Sequence, residues 1–341
     1  MVEVARVPPS LAENAFMRTA LLALLALTQA ATPSPTPEAP RAIAPGVTLI
    51  RSVVVPGRGP DGNTVILDGP EGLIVVDTGR HTWQSDAILA FARETRKPIV
   101  AIVNTHWHLD HVSGNRRVKA AYPDARIYTT RAVDRAIADG GFLARNLEAA
   151  LPRLDDPALP ALAKDETRIF VDTMAARDTL RADVPLERSA SMRLAGRPLD
   201  VRVTDGAVTD ADVWLYDAAT KVAVIGDLAT VPVPYFETAC PDRWAATLDE
   251  VWALPFETAI PGHGAPLTRA GFDAYRTALK AFVACARSDR AAAACGAEWV
   301  TNAASLIGDD AKRRQAVSEN LEYYVGYLRD GGGQAPDCRA H

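Results

Sequence analysis

The chain has 341 residues, of which 48% are hydrophobic and 23% are charged, and its formal net charge is −5. This is the composition of an ordinary soluble globular protein, and the length provides a sizeable core in one large domain or two small ones. The negative charge argues against nucleic acid as a partner, because phosphate binding requires clustered lysine and arginine.

Residues 1–31 are predicted to be a secretory signal with an upstream extension. Arg18 supplies a positive charge, residues 20–27 form a short apolar run, and the triplet 28–30 has small residues at both ends, as a cleavage site requires. Met17, at the start of this segment, is an alternative first residue. Because the apolar run is too short to span a bilayer, we expect cleavage, no stable membrane anchor afterwards, and a periplasmic or secreted protein. A membrane anchor or a buried helix is the alternative.

The rest of the chain is predicted to have three parts. Residues 32–44 form a proline-rich spacer that we expect to be extended and unpacked. Residues 45–290 are predicted to be the main domain, and residues 291–341 a helical C-terminal extension. Within the main domain, residues 131–182 are rich in Ala, Leu, Arg and Asp and predict a helical insertion. Such an insertion is a candidate lid or substrate wall, and a packing appendage is equally consistent with the sequence.

In the main domain, β-rich runs come first and an alternation of helices and strands follows. The runs 47–55, 64–67 and 73–76 are separated by glycine turns, and a helix over 82–96 precedes a buried strand over 98–103. This order predicts sheets covered by helices. Further elements are predicted as a helix at 116–121, strands at 126–129, within 191–204 and at 213–216, and helices at 241–252, 268–286 and 311–329.

A histidine-rich motif, His106-x-His108-x-Asp110-His111, follows the buried strand. Three of the six histidines of the chain fall within these six positions. Imidazoles and a carboxylate that converge at a strand end are a ligand set that suits zinc best, and iron or manganese also accept it. The alternative is a hydrogen-bonded polar turn. Because Ser or Asn would serve such a turn as well as three imidazoles do, the motif predicts a metal site.

This motif resembles the signature of the metallo-β-lactamase superfamily. Three further segments match the order of the family, namely residues 72–79, 222–228 and 259–264. The resemblance covers roughly residues 45 to 285. It implies an α/β (α+β) fold, a four-layer αβ/βα sandwich with the metals at one edge between the two sheets.

The resemblance also implies the ligands of two metal ions. The usual third histidine of the first metal site is replaced by Val208, and an aliphatic side chain cannot bind a metal. We therefore expect one firmly bound Zn²⁺ at the second site and a weakly bound or absent Zn²⁺ at the first. Asp110 would also act in catalysis, and Asp77 would support the ligands. The implied ligands are His106, His108 and a share of Asp227 for the first site, and Asp110, His111, Asp227 and His263 for the second.

Few other side chains in the sequence are candidates to replace the missing ligand. His81 follows the turn at Asp77, but the sequence favours a surface loop histidine there. Asp205 and Asp210 lie near Val208 in the sequence, where capping of a turn is the favoured role.

The four cysteines, Cys240, Cys285, Cys295 and Cys338, contain no Cys-x-x-Cys pair, which argues against a zinc knuckle. In an oxidising compartment two disulfides are plausible. A Cys285–Cys295 bond would close a short loop, and a Cys240–Cys338 bond would pin the C-terminal tail. The sequence alone leaves three pairings open, and four free buried cysteines are the alternative.

The favoured function is that of an exported, zinc-dependent hydrolase with a small-molecule substrate. Amides (including β-lactams), esters, lactones and thioesters all fit, because a fold does not decide among substrates. The alternative is a metal-binding or ligand-binding protein that has lost catalysis, marked by Val208. Mono-iron oxygen chemistry is a weaker interpretation, because it would use the impaired first metal site. Nuclease activity is also weaker, because the net charge of the chain is negative.

Overall fold

A computed structural model describes residues 38–335 and Cys338. The predicted signal and residues 32–37 of the predicted spacer lie outside the described residues. Within the described part of the chain, no helix is both long and apolar enough to cross a membrane.

The first sheet has seven strands arranged in the order of the sequence, β1 to β7. Strands β1 to β4 pair antiparallel, and β4 to β7 pair parallel. Its strands are β1 (Arg41–Ala44), β2 (Val47–Ile50), β3 (Thr64–Gly69), β4 (Gly72–Val76), β5 (Ile99–Val103), β6 (Arg126–Thr129) and β7 (Val184–Pro185).

The second sheet has six strands in the order β13-β12-β11-β10-β9-β8. Every neighbouring pair is antiparallel except β11 and β12, which run parallel. Its strands are β8 (Ala190–Leu194), β9 (Arg197–Thr204), β10 (Asp212–Asp217), β11 (Val222–Thr230), β12 (Thr258–His263) and β13 (Leu267–Thr268).

The described helices cover the outer faces of the two sheets or lie in the insertion. They are α1 (Thr82–Thr95), α2 (Leu109–Val112), α3 (Asn115–Ala121), α4 (Ala132–Ile137), α5 (Phe142–Ala150), α6 (Ala161–Ala175), α7 (Pro241–Trp252), α8 (Arg269–Ala286), α9 (Ala292–Asn302), α10 (Ala304–Ile307) and α11 (Ala311–Asp330). Two short 3₁₀ segments, Leu151–Asp155 and Arg177–Leu180, complete the insertion.

Local sequence explains where several helices begin. Helix α7 has Pro241 in its first turn, where a missing N–H costs no helical hydrogen bond. Thr268 caps α8 by accepting a hydrogen bond from the amide of Gly271, and Asp310 caps α11 by accepting from that of Arg313.

Three hydrophobic cores lie between the layers of the domain. The inner faces of the two sheets pack against each other, with Val76 and Val103 from the first sheet and Val213 and Ile260 from the second. Helices α1 and α3 cover the outer face of the first sheet. Helices α7, α8, α9 and α11 cover the second sheet. The four-layer sandwich predicted from the sequence is therefore confirmed.

The insertion and the C-terminal helices differ in how they pack. The insertion has a small core of its own, in which Ala132, Leu143 and Met174 surround Trp107 of the histidine motif. The C-terminal helices share the outer core of the second sheet, to which they contribute Trp299 and Leu321 among other side chains.

Two boundaries near the start of the domain differ from the prediction. Arg41–Ala44 forms an edge strand, although the spacer was predicted to extend to residue 44, because its backbone pairs with β2. The strand predicted over 47–55 ends at Ile50, since the amide of Ser52 donates to Asn63 Oδ1 instead of continuing the ladder. Residues 51–63 form an irregular loop, called the β2–β3 loop below.

Both favoured disulfides are formed. One joins Cys240, at the start of α7, to Cys338, and the other joins Cys285 to Cys295, between α8 and α9. Among the described residues no cysteine is free.

Candidate metal centre

The candidate ligands lie at the carboxyl ends of parallel strands in both sheets. In the first sheet Val76 of β4 pairs with Val103 of β5, so that Asp77 and the histidine motif emerge at the same edge. In the second sheet β11 carries Asp227, and the parallel strand β12 ends at His263. Because the two sheets face each other, both sets of strand ends reach one site.

The structure brings the six predicted ligands together in two groups. His106, His108 and Asp227 form one group, and Asp110, His111 and His263 form the other. Within each group the candidate ligand atoms lie within 4.8 Å of one another.

Asp227 faces both groups. Its Oδ2 lies 3.5 Å from His106 Nε2 and 3.9 Å from His108 Nδ1. Its Oδ1 lies 3.2 Å from His111 Nε2 and 3.4 Å from His263 Nε2. The second group thus has four protein donors, whereas the first has three.

Two buried polar atoms at the site have no hydrogen-bond partner, His106 Nε2 and Asp227 Oδ1. Such atoms are costly to bury unless a ligand satisfies them. The absence of a side chain at Gly262 leaves space for the Asp227 carboxylate, because a Cβ at position 262 would lie 1.9 Å from Asp227 Oδ1. Imidazole nitrogens and carboxylate oxygens that converge with unsatisfied lone pairs fit a divalent cation such as Zn²⁺.

Hydrogen bonds to Asp77 and Thr105 orient two of the imidazoles. Asp77 Oδ2 accepts from Thr105 Oγ1 at 2.7 Å and faces His111 Nδ1 at 2.8 Å. The Thr105 hydroxyl, having donated its hydrogen to Asp77, accepts from His106 Nδ1 at 2.9 Å. The Nε2 atoms of His106 and His111 therefore remain available to a metal.

His108 is oriented from the other side, by Thr238. Thr238 Oγ1 donates to the carbonyl of Val208 at 2.7 Å and so accepts from His108 Nε2 at 2.9 Å. This leaves the lone pair on His108 Nδ1, the atom that faces Asp227. The backbone of position 208 therefore supports a ligand, although its side chain cannot be one.

The electrostatics of the site favour a cation. Burial lowers the pKa of His111, but the carboxylates of Asp227, Asp110 and Asp77 outweigh burial and raise it well above the usual value. Burial and the two neighbouring imidazoles lower the pKa of His106 to about 4, which keeps this ring neutral. For Asp110, burial raises the pKa, but His111 and His263 outweigh it and lower the value. The negative potential that attracts a proton to His111 attracts a metal ion equally.

The six candidate ligands differ in their exposure to solvent. The side chains of His106, His111 and Asp227 are at most 4% exposed, whereas those of His108, Asp110 and His263 are 12–18% exposed. His108, Asp110 and His263 are therefore the candidate ligands that solvent reaches most readily.

The other side chains considered as ligands lie elsewhere. Val208 is 1% exposed and belongs to the hydrophobic core under the second sheet. Asp210 accepts from the indole of Trp107 at 3.0 Å and pairs with Arg135 at 2.6 Å. The carbonyl of Asp205 accepts from Arg243. Among the described residues, neither Asp205 nor Asp210 belongs to a candidate metal group.

The interpretation of His81 as a surface loop histidine was wrong. Its side chain is 1% exposed and lies between Asp61 Oδ2 and Glu166 Oε1, at 2.9 Å from each. Asp61 and Glu166 are distant from His81 in the sequence, so no local sequence pattern predicts that His81 is buried.

Some supporting residues were missed by the sequence analysis. Thr105 precedes the motif and could have been noticed for that reason, whereas Thr238 lies 130 residues from His108 and carries no local signal. Asp212 is also buried, and it accepts hydrogen bonds from the amides of Ala207, Val208 and Thr209. Burial raises its pKa to about 7 despite these bonds.

Comparison with known proteins places this site in a family. Residues 57–263 match the family model of the metallo-beta-lactamase superfamily. This match covers more than half of the chain and contains all six candidate ligands.

Individual relatives agree with this match. A linear primary-alkylsulfatase from Pseudomonas sp. (strain ATCC 19151) is 28% identical over 230 residues, which are 60% of this chain and 41% of that protein. The chain thus spans less than half of that alkylsulfatase.

Solved structures show the same fold. The structure of a double mutant of the sec-alkyl sulfatase PisA1 has a TM-score of 0.56 at 18% identity, covering 84% of this chain and 49% of that one. A metallo-beta-lactamase from Pontibacter korlensis has a TM-score of 0.52 at 16% identity, covering 72% of this chain and 99% of that one. The chain belongs to the metallo-beta-lactamase superfamily.

Proposed function

We propose that the protein is an exported, zinc-dependent hydrolase that cleaves an ester bond in a small molecule. The observation that carries this proposal is the pair of unsatisfied buried atoms, His106 Nε2 and Asp227 Oδ1, at the centre of six converging ligands. A polar turn without a metal would not bury such atoms unpaired.

Zinc is proposed because neutral imidazoles with carboxylates are its usual donor set. Asp110, His111, Asp227 and His263 would hold one Zn²⁺ firmly. His106 and His108, with the other oxygen of Asp227, would hold a second only weakly, because Val208 leaves this group one donor short.

A bound zinc ion would polarise the ester group and lower the pKa of water at the site from about 16 towards 7. The residues of the chain supply the rest of the chemistry. Asp110 is ionised, partly exposed and 3.0 Å from His263 Nε2, and it would orient the attacking water and carry its proton. Asp77, Thr105 and Thr238 would keep the imidazoles in position.

For the substrate we propose a sulfate ester of an aliphatic alcohol as the first class. The support is that both an alkylsulfatase sequence and an alkylsulfatase structure match most of this chain. Carboxylic esters, lactones, thioesters and amides, β-lactams included, are the alternative, since the fold alone hosts many reactions.

Export is supported by the two disulfides, because such bonds persist mainly in oxidising compartments. The predicted signal over residues 17–31 agrees with this localisation. Detection of the mature protein in the periplasmic fraction or the medium, with its N-terminus determined by sequencing, would test it.

The test of function begins with metal content. Elemental analysis of protein purified without added metal should find about one zinc per chain. Turnover of dodecyl sulfate, a p-nitrophenyl ester and a chromogenic β-lactam would then be measured with and without chelator. The proposal fails if none of them is hydrolysed by zinc-loaded protein.

A matched pair of variants tests the role of Asp110. Asp110→Asn should lower turnover by about 100-fold or more, the usual contribution of a residue that transfers a proton. Asp124→Asn makes the same change at an exposed loop position and should leave turnover unchanged.

One observation favours a second candidate, a zinc-binding protein without catalysis. By the resemblance Val208 stands where the family has a ligand histidine, and its side chain lies in a hydrophobic core, which would leave the first group one donor short. One zinc per chain without turnover of any of the three substrates would favour this candidate.

A further inference from the structure

The carboxylate of Glu166, in α6 of the helical insertion, contacts both the β2–β3 loop and the residues at the start of α1. Glu166 Oε1 lies 3.1 Å from Arg58 Nη1 and 2.9 Å from His81 Nε2. Its Oε2 accepts from the amide of Gly59 at 3.1 Å and lies 2.9 Å from Arg80 Nε. The Glu166 side chain is 13% exposed, so this carboxylate binds three cationic or polar side chains and one amide away from bulk water.

His81 continues the contact to a second carboxylate, that of Asp61. Asp61 Oδ2 lies 2.9 Å from His81 Nδ1 and accepts from the indole of Trp83 at 2.8 Å. Asp61 Oδ1 accepts from the amides of Arg80 and His81 at 2.6 and 2.9 Å. The Asp61 carboxylate is completely buried, so both ends of His81 are fixed.

The next residue of the β2–β3 loop reaches the metal centre. The amide of Gly62 donates to the carbonyl of Asp110 at 2.9 Å. A Cβ on Gly62 would lie 2.5 Å from the His111 ring, so the loop passes directly against this ligand. The amide of Asn63 then donates to the carbonyl of Gly262, beside His263.

A continuous series of contacts therefore runs from the insertion to two ligands of the second metal group. Glu166 contacts the β2–β3 loop directly, and it also reaches the loop through His81 and Asp61. Within the loop, Gly62 contacts Asp110 and His111. Because Glu166 is held by Arg58, Gly59, Arg80 and His81, it fixes both the loop and the start of α1.

We propose that Glu166 is a positioning residue for the metal centre: it holds the β2–β3 loop against Asp110 and His111, and the insertion thereby forms one wall of the site. The structural part of this inference stands without the proposed function, and only its catalytic consequence rests on it. Glu166 touches neither the ligands nor a substrate, and it acts through His81 and the loop.

The test compares two neighbouring residues of α6. Glu166→Gln keeps the size of the side chain but removes the charge that holds Arg58, Arg80 and His81. Asp165→Asn is the matched control, because Asp165 is 48% exposed and pairs with Arg58 and, within α6, with Arg168, each at 3.4 Å, but not with Arg80 or His81. Both variants would be compared with wild type by amide hydrogen exchange and by zinc competition titration.

In Glu166→Gln we expect exchange over residues 56–63 to be about 10- to 100-fold faster, the effect of losing a charge-assisted hydrogen bond. Exchange over strand β9 should be unchanged. Affinity for zinc should fall about 10-fold, as it does when supporting residues of a metal site are altered. Asp165→Asn should match wild type in all three measurements.

Two results would overturn the proposal. Unchanged exchange over residues 56–63 in Glu166→Gln would show that the loop keeps its place without Glu166. Equally faster exchange over β9 would show general destabilisation, so that the insertion is only a packing appendage.

His81→Asn is the second variant, and it removes the imidazole that bridges Glu166 and Asp61 while leaving the sequence of α6 unchanged. It should also speed exchange over residues 56–63, and it decides the question if Glu166→Gln does not fold. In zinc-loaded protein that hydrolyses dodecyl sulfate, Glu166→Gln should lower kcat more than it raises KM. If wild type hydrolyses nothing, the proposed function fails, while the exchange and zinc measurements still decide the role of Glu166.

Discussion

Replacement of Asp77 by asparagine should show how much the hydrogen bonds behind the candidate ligands contribute, because it changes this support and leaves the candidate ligands themselves unchanged. Asp77 is 2% exposed, and its carboxylate faces three donors. They are the amide of Thr105 at 2.8 Å, the hydroxyl of Thr105 at 2.7 Å and His111 Nδ1 at 2.8 Å. Asparagine fits the backbone, since φ of Asp77 is +59° and asparagine tolerates this conformation.

The expected loss follows from the atoms that change. The asparagine carbonyl still accepts from the amide of Thr105, but its NH₂ group has no lone pair for the Thr105 hydroxyl or for His111. Two charge-assisted hydrogen bonds at about 1.5–3 kcal/mol each give a loss of about 3–6 kcal/mol in the free energy of unfolding of metal-free protein. Affinity for zinc should fall about 10- to 100-fold, because His111 loses its orienting partner.

Urea unfolding of chelator-treated protein and zinc competition titration would measure these two quantities. Asp68→Asn is the control, because Asp68 pairs with Lys97 where both side chains are 43% exposed. A surface pair of this kind contributes about 0–1 kcal/mol. The reasoning is refuted if Asp77→Asn loses no more stability than Asp68→Asn and binds zinc as wild type does.

Three further outcomes are expected. Val208→His should raise the zinc content from about one to about two per chain by elemental analysis, and an unchanged content would show that position 208 cannot supply the missing ligand. Replacing Cys240 and Cys338 by serine opens a link between residues 98 apart and should cost about 4.7 kcal/mol in urea unfolding, by loop-closure entropy; a loss below about 1 kcal/mol would contradict this. Burial lowers the pKa of His81, but the two carboxylates beside it outweigh burial and raise this pKa above the usual value. The stability that His81 contributes is therefore fully present below its unfolded pKa of about 6.5, and it is lost as the pH rises through the folded pKa. The difference in unfolding free energy between wild type and His81→Asn should therefore be larger at pH 6 than at pH 9, and a difference that grows with pH would contradict this sign.

Elements with strong periodicity were predicted from the sequence to within one or two residues. The helix predicted over 82–96 is Thr82–Thr95, and the strand predicted over 126–129 is Arg126–Thr129. The errors lie in segments whose structure depends on hydrogen bonds to a neighbouring strand or loop. Arg41–Ala44 becomes a strand because β2 is beside it, and residues 51–55 leave the sheet because Asn63 binds the backbone there.

The sequence by itself indicated the candidate ligands of the site, because the histidine motif and three further segments resemble those of a known family. Their convergence was implied by the resemblance, because β5 and β12 belong to different sheets and the sequence alone does not show how the two sheets face each other. The prediction that Val208 replaces a ligand histidine also came from the sequence, since the resemblance marked the position.

Only the tertiary structure decided what holds those ligands in place. Thr238 orients His108 across 130 residues, and Glu166 reaches His81 across 85. Such contacts depend on how the insertion and the loops pack against the sheets, and no local pattern encodes that packing. A buried histidine between two carboxylates therefore looked, in the sequence, like a histidine on a surface loop.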